Sequence, residues 1–297
     1  MTKQIIQDLT LSQATIAFIE ALKAKQMSNE TVRGYSVDLK QLQGFLGKEA
    51  NGPVFVDDIS TEQLEAFQKT FQDRQCKTAT VNRKINSVSS FFNYAVKKKW
   101  VPINPANDIE RVKVQQAERI FLTKEEMHRI VENIDHPTVK YVVILMSNTG
   151  LRISECVHLT LTNVDLKKKV VHVIEGKGGK NRDVPMNDEL VLAMKRYLAD
   201  VRPNTSSVNF FALKKTGAVS QQYVNRVLKE TCKNIGMKKD VTSHILRHSF
   251  ASQLVKTDTH VAVIQRLLGH ANIRTTSVYL HADQSDLEEA VNTIKFL

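Results

Sequence analysis

Apolar residues recur every three or four positions through the first third of the chain, which is the period of amphipathic helices. The stripes comprise Val32, Tyr35, Leu39, Leu42 and Leu46; Leu64, Phe67 and Phe71; and Val81, Ile85, Val88, Phe92 and Ala95. Capping-box pairs precede two of the helices, Thr10 with Gln13 and Ser60 with Gln63. Asn51-Gly52-Pro53 interrupts the pattern between the second and third helices. The pattern predicts a four-helix bundle with Lys and Arg on its outer faces.

A domain boundary is predicted after the fourth helix. Pro102 and Pro105 stop that helix, because proline lacks the backbone N–H that a helix interior needs. Residues 107–120 are mostly polar or charged and only weakly periodic, which is typical of a linker. The sequence therefore predicts a helical domain over 1–106 and a second domain over 121–297.

The second domain mixes helical and strand patterns. The β-branched, alternating run from Val170 to Ile174 predicts a strand, the glycine-rich stretch 176–180 a turn, and residues 181–185 the returning strand of a hairpin. Gly269 lies where a glycine ends a helix. Helices are predicted at 123–134, 138–149, 187–200, 220–235, 243–256, 259–268, 275–281 and 284–295. The predicted fold is mostly α with a small β-sheet, an α+β arrangement.

Composition narrows the function classes. A net charge of +11 favours a polyanionic partner such as nucleic acid, although a merely charged surface is the open alternative. No apolar run approaches the ~18 residues of a membrane span, and the first residues lack the apolar core of a signal peptide. Three widely spaced cysteines cannot build a disulfide framework, which fits a reducing cytoplasm.

The segment from Thr242 to Phe250 holds the densest candidate chemistry. His244 and Arg247 lie three positions apart on a predicted helix, where an arginine can hold a phosphate while a histidine moves a proton. His248 makes a metal-like pair with His244, but Ile245 stands where a zinc protease needs glutamate. We therefore expect no metal site here. Other candidates lie next to glycines or at the predicted hairpin tip, but spacing alone does not select one tyrosine among six.

The ordered motifs of the second domain resemble those of the tyrosine recombinase family, also called the λ-integrase family. They are Thr-Gly-Leu-Arg152, Gly-Lys177-Gly, His244-x-x-Arg247-His, Leu-Leu-Gly-His270 and Tyr279. The His244-to-Tyr279 spacing and the chain length are most similar to Xer-type members and small transposon-encoded resolvases. The resemblance is close over 118–297, whereas the first half is more loosely similar to the family's SAM-like core-binding domain.

The resemblance implies site-specific DNA recombination through a 3′-phosphotyrosine, without metal, cofactor or ATP. Tyr279 would be the nucleophile. Arg152 and Arg247 would hold the phosphate oxygens, and His270 would donate a hydrogen bond to the phosphate. His244 would act as the general base, and Lys177 as the general acid for the departing 5′ oxygen. Glu155, one helical turn after Arg152, is expected to orient that arginine.

The resemblance also implies that both domains form a C-shaped clamp around double-stranded DNA carrying an inverted-repeat core site. The predicted DNA contacts are Arg83, Lys84, Lys180, Arg182, Lys215 and Arg226; for each, a solvated surface position is the alternative. The final helix carries an apolar stripe, Leu287, Val291 and Ile294. In the family such a helix docks into a neighbouring protomer, which would close a tetramer on two duplexes, whereas packing on its own domain is the alternative.

The resemblance places the protein in the prokaryotic cytoplasm, associated with the nucleoid, with a related recombinase or an accessory protein as a further partner. Three other functions compete. A type IB topoisomerase-like enzyme would use the same residues to relax DNA. A non-catalytic DNA-binding regulator would use 243–256 and 259–268 as a helix-turn-helix, but it needs no nucleophile. A metal-dependent nuclease would need clustered acidic ligands, and the acidic residues here are scattered.

Overall fold

Helices dominate the computed structural model, which describes residues 9–48, 50, 52–113, 120–174, 181–257 and 259–269. The chain divides into two units, Met1–Ala117 and Glu118–Leu297. Among the described residues, no helix is long and apolar enough to cross a membrane. The described strands form one antiparallel sheet in the second unit. The predicted fold class, mostly α with a small sheet, is confirmed.

The first unit contains the four predicted helices. They are α1 (Leu11–Ala24), α2 (Asn29–Leu46), α3 (Thr61–Asp73) and α4 (Thr78–Lys97). Both predicted capping boxes are present: Thr10 accepts a hydrogen bond from the Gln13 amide, and Ser60 accepts one from the Gln63 amide. The predicted apolar stripes face the core, where Leu39, Leu42, Leu64, Ile85 and Phe92 are all buried. Helix periodicity therefore located this core correctly.

Lys84 departs from the prediction that the lysines and arginines of this bundle lie on its outer faces. Its side chain is buried between α4 and α2, with Nζ 3.1 Å from Oδ1 of the fully buried Asp38. The ammonium also lies 4.8 Å from the centre of the Phe71 ring. A buried cation needs a partner of opposite charge, and Asp38 provides one that the apolar pattern does not reveal.

The first unit also extends past its predicted end at Ala106. Ile109 is buried in its core. Gln68 of α3 donates a hydrogen bond to the Glu110 carbonyl at 2.9 Å. The Asn82 side chain of α4 bonds both the carbonyl and the amide of Val112, at 2.8 and 3.0 Å. The polar composition of residues 107–120 predicted a linker. The hydrogen bonds instead show that the described residues 107–113 pack on α3 and α4.

In the second unit, the other helices and the sheet pack around the buried helix α6 (Pro137–Thr149). Its elements are α5 (Lys124–Glu132), α6 (Pro137–Thr149), α7 (Ile153–Val157), β1 (Val164–Asp165), β2 (Val170–Val173), β3 (Arg182–Pro185), α8 (Asp188–Arg196), α9 (Gln221–Asn234), α10 (Ser243–Lys256) and α11 (Val261–Leu268). The sheet order is β1-β2-β3, with Val171 opposite Val184. The predicted hairpin strands and the predicted helices between 123 and 268 are confirmed, with α8 continuing into a π-helical turn, Tyr197–Val201. The helices predicted at 275–281 and 284–295 lie outside the described residues.

Two glycines shape the part of this unit that carries the candidate chemistry. Helix α6, whose Val142, Val143 and Leu145 are fully buried, ends at Gly150, where a φ of +64° turns the chain towards α7. Helix α11 packs on α10 through Ile264 and ends at Gly269, where φ is +65°. A positive φ costs glycine little, so both helices can end abruptly.

Candidate active site

Arg152 stands at the start of α7, immediately after the turn at Gly150. Its backbone N–H donates to Glu155 Oε2 at 2.8 Å, and its side-chain Nη1 donates to Glu155 Oε1 at 2.8 Å. Glu155 therefore caps the helix and holds the guanidinium at the same time. The contact expected between these two residues is present in the structure, whereas its catalytic consequence stays a prediction.

Arg247 reaches the same turn from the middle of α10. The residue is 6% exposed; its Nη1 donates to the Gly150 carbonyl at 2.6 Å, and its Nη2 donates to the Leu268 carbonyl at 2.6 Å. His244, one turn earlier on α10, is exposed. A buried guanidinium must satisfy its donors, and these two carbonyls fix the position of Arg247 between the ends of α6 and α11.

The last three described residues, at the carboxyl end of α11, each offer a carbonyl to a different arginine. Leu267 accepts from Arg182 Nε at 2.9 Å, and Gly269 accepts from Arg152 Nη2 at 3.4 Å. Arg247 holds Leu268 between them. Helix carboxyl ends carry unpaired carbonyls and a partial negative charge, so they attract cations. The end of α11 thus gathers three guanidinium groups, just before His270 in the sequence.

Glu155 balances part of this positive charge. Its side chain is 5% exposed and accepts two parallel hydrogen bonds from Arg182, from Nη1 to Oε1 at 2.9 Å and from Nη2 to Oε2 at 2.8 Å. Burial alone would raise the pKa of this carboxyl. The hydrogen bonds from Arg182 and from the Arg152 amide outweigh burial and lower the pKa to about 2. Glu155 is therefore ionised at neutral pH and links two arginines.

This geometry predicts a pH-dependent cost for Glu155→Gln. Because folding lowers the pKa from about 4.5 to about 2, the ionised carboxyl stabilises the fold fully above pH 4.5 and loses this effect as the pH falls through 2. Breaking a buried ion pair typically costs about 3 kcal/mol. Urea unfolding of both proteins should show that difference at neutral pH and a shrinking one below about pH 4.5. Exposed Glu230→Gln is the control, and a constant difference for Glu155→Gln contradicts the assignment.

The other predicted site residues fall into three groups. Lys177, Lys180, His270 and Tyr279 lie outside the described residues. Lys215 and Arg226 are exposed, as a DNA contact requires, and Arg226 lies over the Tyr223 ring. The remaining three predicted DNA contacts bind carboxylates: Arg83 and Lys84 bind Asp38, and Arg182 binds Glu155. Their predicted role in DNA contact stays a prediction.

Arg182, like Lys84, is a residue whose position sequence reasoning missed. A signal was present, because side chains alternate along a strand and Arg182 lies two residues before Val184. Val184 is buried in the core, and Arg182 points to the same side of β3 with 9% of its side chain exposed. In the part of the chain that the structure describes, no group of three or more His, Cys, Asp or Glu residues could hold a metal ion.

Comparison with known proteins decides the family. The model of the Phage integrase family matches residues 120–286, which is more than half of the chain. The chain belongs to the phage integrase family of tyrosine recombinases. The model of the phage integrase N-terminal SAM-like domain matches residues 16–99, within the first unit.

Individual relatives agree with this assignment. The tyrosine recombinase XerC of Thermodesulfovibrio yellowstonii is 33% identical over 277 residues, covering 88% of this chain and 89% of the relative. Two solved structures share the fold. The Tn1549 transposon integrase, solved with a circular intermediate DNA, has a TM-score of 0.79 at 17% identity and covers 97% of this chain and 100% of its own. The XerH recombinase, solved bound to its difH substrate, has a TM-score of 0.71 at 22% identity, covering 96% and 85%.

The family and the named relatives confirm the predicted function. This protein is a tyrosine site-specific recombinase, an enzyme that acts on DNA. The alternatives of a DNA-relaxing topoisomerase and a non-catalytic DNA-binding regulator are not favoured by these findings.

Proposed function

We propose that this recombinase exchanges strands with six residues: Arg152, Lys177, His244, Arg247, His270 and Tyr279. The observation that supports the proposal is the convergence of Arg152 and Arg247 on the Gly150 turn and the end of α11. These two arginines come from separate helices, and both bind carbonyls at the end of α11. His270 is the next residue of the sequence after this end. Planar guanidinium groups suit the non-bridging oxygens of a phosphodiester, because each can donate two parallel hydrogen bonds.

The proposed reaction keeps the energy of the phosphodiester bond in a covalent phosphotyrosine. The Tyr279 oxygen attacks the phosphorus, the bond to the 5′ oxygen breaks, and a 3′-phosphotyrosine forms. His244 accepts the tyrosine proton, and Lys177 donates a proton to the departing 5′ oxygen. The two arginines and His270 stabilise the charge on the five-coordinate transition state. A 5′-hydroxyl from the partner strand then attacks the phosphotyrosine in reverse, so rejoining needs neither ATP nor metal.

The proposed DNA substrate carries inverted-repeat core sites. Arg83, Lys215 and Arg226 are exposed and suit phosphate contacts, which determine affinity more than sequence preference. Lys180, on the predicted hairpin, belongs to the same proposed set, whereas Lys84 and Arg182, which bind buried carboxylates, are left out of it. We propose a tetramer on two duplexes joined by the C-terminal helix, with a related recombinase or an accessory protein as a further partner. The proposed setting is the cytoplasm, at the nucleoid.

Covalent trapping tests the proposed chemistry. Duplexes from a random-sequence pool are enriched by binding to the protein, and the recovered DNA, here called the selected duplex, is nicked near each candidate cleavage position. In EDTA we expect an SDS-resistant adduct whose nucleotide maps by mass spectrometry to Tyr279, in the tryptic peptide 275–295. A bound duplex that gives no adduct, an adduct that requires a divalent metal, or attachment at another residue contradicts the proposal.

A further inference from the structure

Arg182, at the start of β3, makes all of its described hydrogen bonds inside the protein. Its two Nη atoms bind the two Glu155 oxygens, at 2.9 and 2.8 Å, and its Nε binds the Leu267 carbonyl at 2.9 Å. Moving this side chain away from Glu155 to contact a DNA phosphate would break these three hydrogen bonds and leave a buried carboxylate with one fewer cation. That exchange is costly, because an unpaired buried charge loses its hydration without compensation.

We propose that Arg182 is a positioning residue for Arg152 rather than a DNA contact. This inference rests on the proposed function, in which Arg152 holds the scissile phosphate. Each Glu155 oxygen is shared by the two arginines: Oε1 accepts from both guanidinium groups, and Oε2 accepts from Arg182 and the Arg152 amide. Arg182 therefore fixes the rotation of the carboxylate that holds Arg152.

A second contact acts in the same direction. Arg182 binds the Leu267 carbonyl, and two residues later the Gly269 carbonyl accepts from Arg152 Nη2. A Cβ on Gly269 would lie 3.0 Å from both Cδ and Nη1 of Arg182, so the backbone at the end of α11 packs directly on this side chain. Arg182 thus binds Glu155 directly and packs against the backbone of Gly269, the two residues that bind the Arg152 guanidinium.

The position of β3 extends this role. Arg182 follows the predicted hairpin lysine Lys177 by five positions, and Gly269 directly precedes His270. The Arg182 side chain therefore joins β3, α7 and the end of α11. In the sequence, these three segments lie next to the proposed catalytic residues Lys177, Arg152 and His270 respectively. Lysine cannot reproduce this link, because its ammonium is a point charge without the planar fork that binds a carboxylate and a carbonyl together.

Binding and cleavage of the selected duplex separate the two roles. For Arg182→Met we expect the salt dependence of the dissociation constant to stay unchanged, while single-turnover cleavage at saturating protein falls roughly 100-fold. Arg182→Lys should recover only part of that rate, and the exposed Arg196→Met should cleave like the wild type. A phosphate contact predicts the opposite: the slope of log affinity against log salt falls by about 1 and saturated cleavage is unchanged, which overturns the proposal.

Chemical modification without DNA provides a readout that does not depend on the proposed function. Phenylglyoxal labels accessible guanidinium groups, and peptide mass spectrometry gives the labelling rate of each arginine. In Arg182→Met we expect faster labelling of Arg152 while buried Arg247 stays as slow as in the wild type. Equal acceleration at both arginines, which marks general loosening, or no change at Arg152 overturns the proposal. A wild-type protein that forms no adduct instead contradicts the proposed function alone.

Discussion

Replacing Arg247 by lysine is expected to lower strand cleavage of the selected duplex by about 10³-fold, the scale seen when a preorganised oxyanion donor is lost. Arg247 bridges the Gly150 and Leu268 carbonyls with its two Nη atoms. A lysine ammonium cannot bridge both carbonyls and also present a planar pair of donors to a phosphate. The cleavage rate is measured in single turnover at saturating protein, so that weaker DNA binding does not lower it.

Arg202→Lys is the matched control for this substitution. Arg202 is a partly buried arginine that, like Arg247, binds backbone carbonyls, those of Ser207, Asn209 and Phe210, but none of these residues belongs to the candidate site. Both variants should lower the melting temperature, because each loses hydrogen bonds to buried carbonyls. Only Arg247→Lys should lose cleavage. Equal cleavage by the two variants, at a temperature where both are folded, would remove Arg247 from the proposed mechanism.

The apolar pattern predicted most of the helices because each buries one stripe of side chains. Leu39, Leu64 and Ile85 are fully buried where a period of 3.6 residues places them. Local chemistry predicted helix starts equally well, since a capping box such as Thr10 with Gln13 involves residues only three positions apart. These features depend on residues that lie close together in the chain, so they can be predicted from the sequence alone.

The features that the sequence did not reveal depend on partners distant in the chain. Asp38 and Lys84 pair across 46 positions, and Glu155 and Arg182 across 27. The sequence does not show whether a charged residue faces solvent or a buried partner, so Lys84 and Arg182 were placed among the predicted DNA contacts. Helix α7 was missed for another reason, because its five residues are too few to show a period.

The motif residues were predictable as a set, whereas their geometric relation was not. The sequence places Gly150 and Gly269 beside candidate residues, but only the fold shows that the two glycine turns meet. Arg247 spans them, from the Gly150 carbonyl to the carbonyl of Leu268, directly before Gly269. Phe250 of α10 and Leu268 of α11 lie against Gly150 and leave no room for a side chain there, which makes a direct test possible.

Gly150→Ala is expected to destabilise the protein by about 3 kcal/mol. An alanine here must adopt a φ of +64°, which costs about 1 kcal/mol. Its Cβ would also lie 2.8 Å from Phe250 Cε1 and 2.9 Å from Leu268 Cδ2, and forced repacking of this kind costs about 2 kcal/mol more. Cleavage should fall as well, by roughly 100-fold, because moving Leu268 displaces the carbonyl that holds Arg247.

Gly236→Ala separates the two costs. Gly236 has a φ of +68°, yet a Cβ there would meet no atom within 4 Å. This variant should lose only the backbone cost of about 1 kcal/mol and keep its cleavage rate. Urea unfolding followed by circular dichroism gives the two free energies, and single-turnover cleavage of the selected duplex gives the rates. If Gly150→Ala loses no more stability than Gly236→Ala, the turns at α6 and α11 do not pack as described, and Arg247 is not held between them.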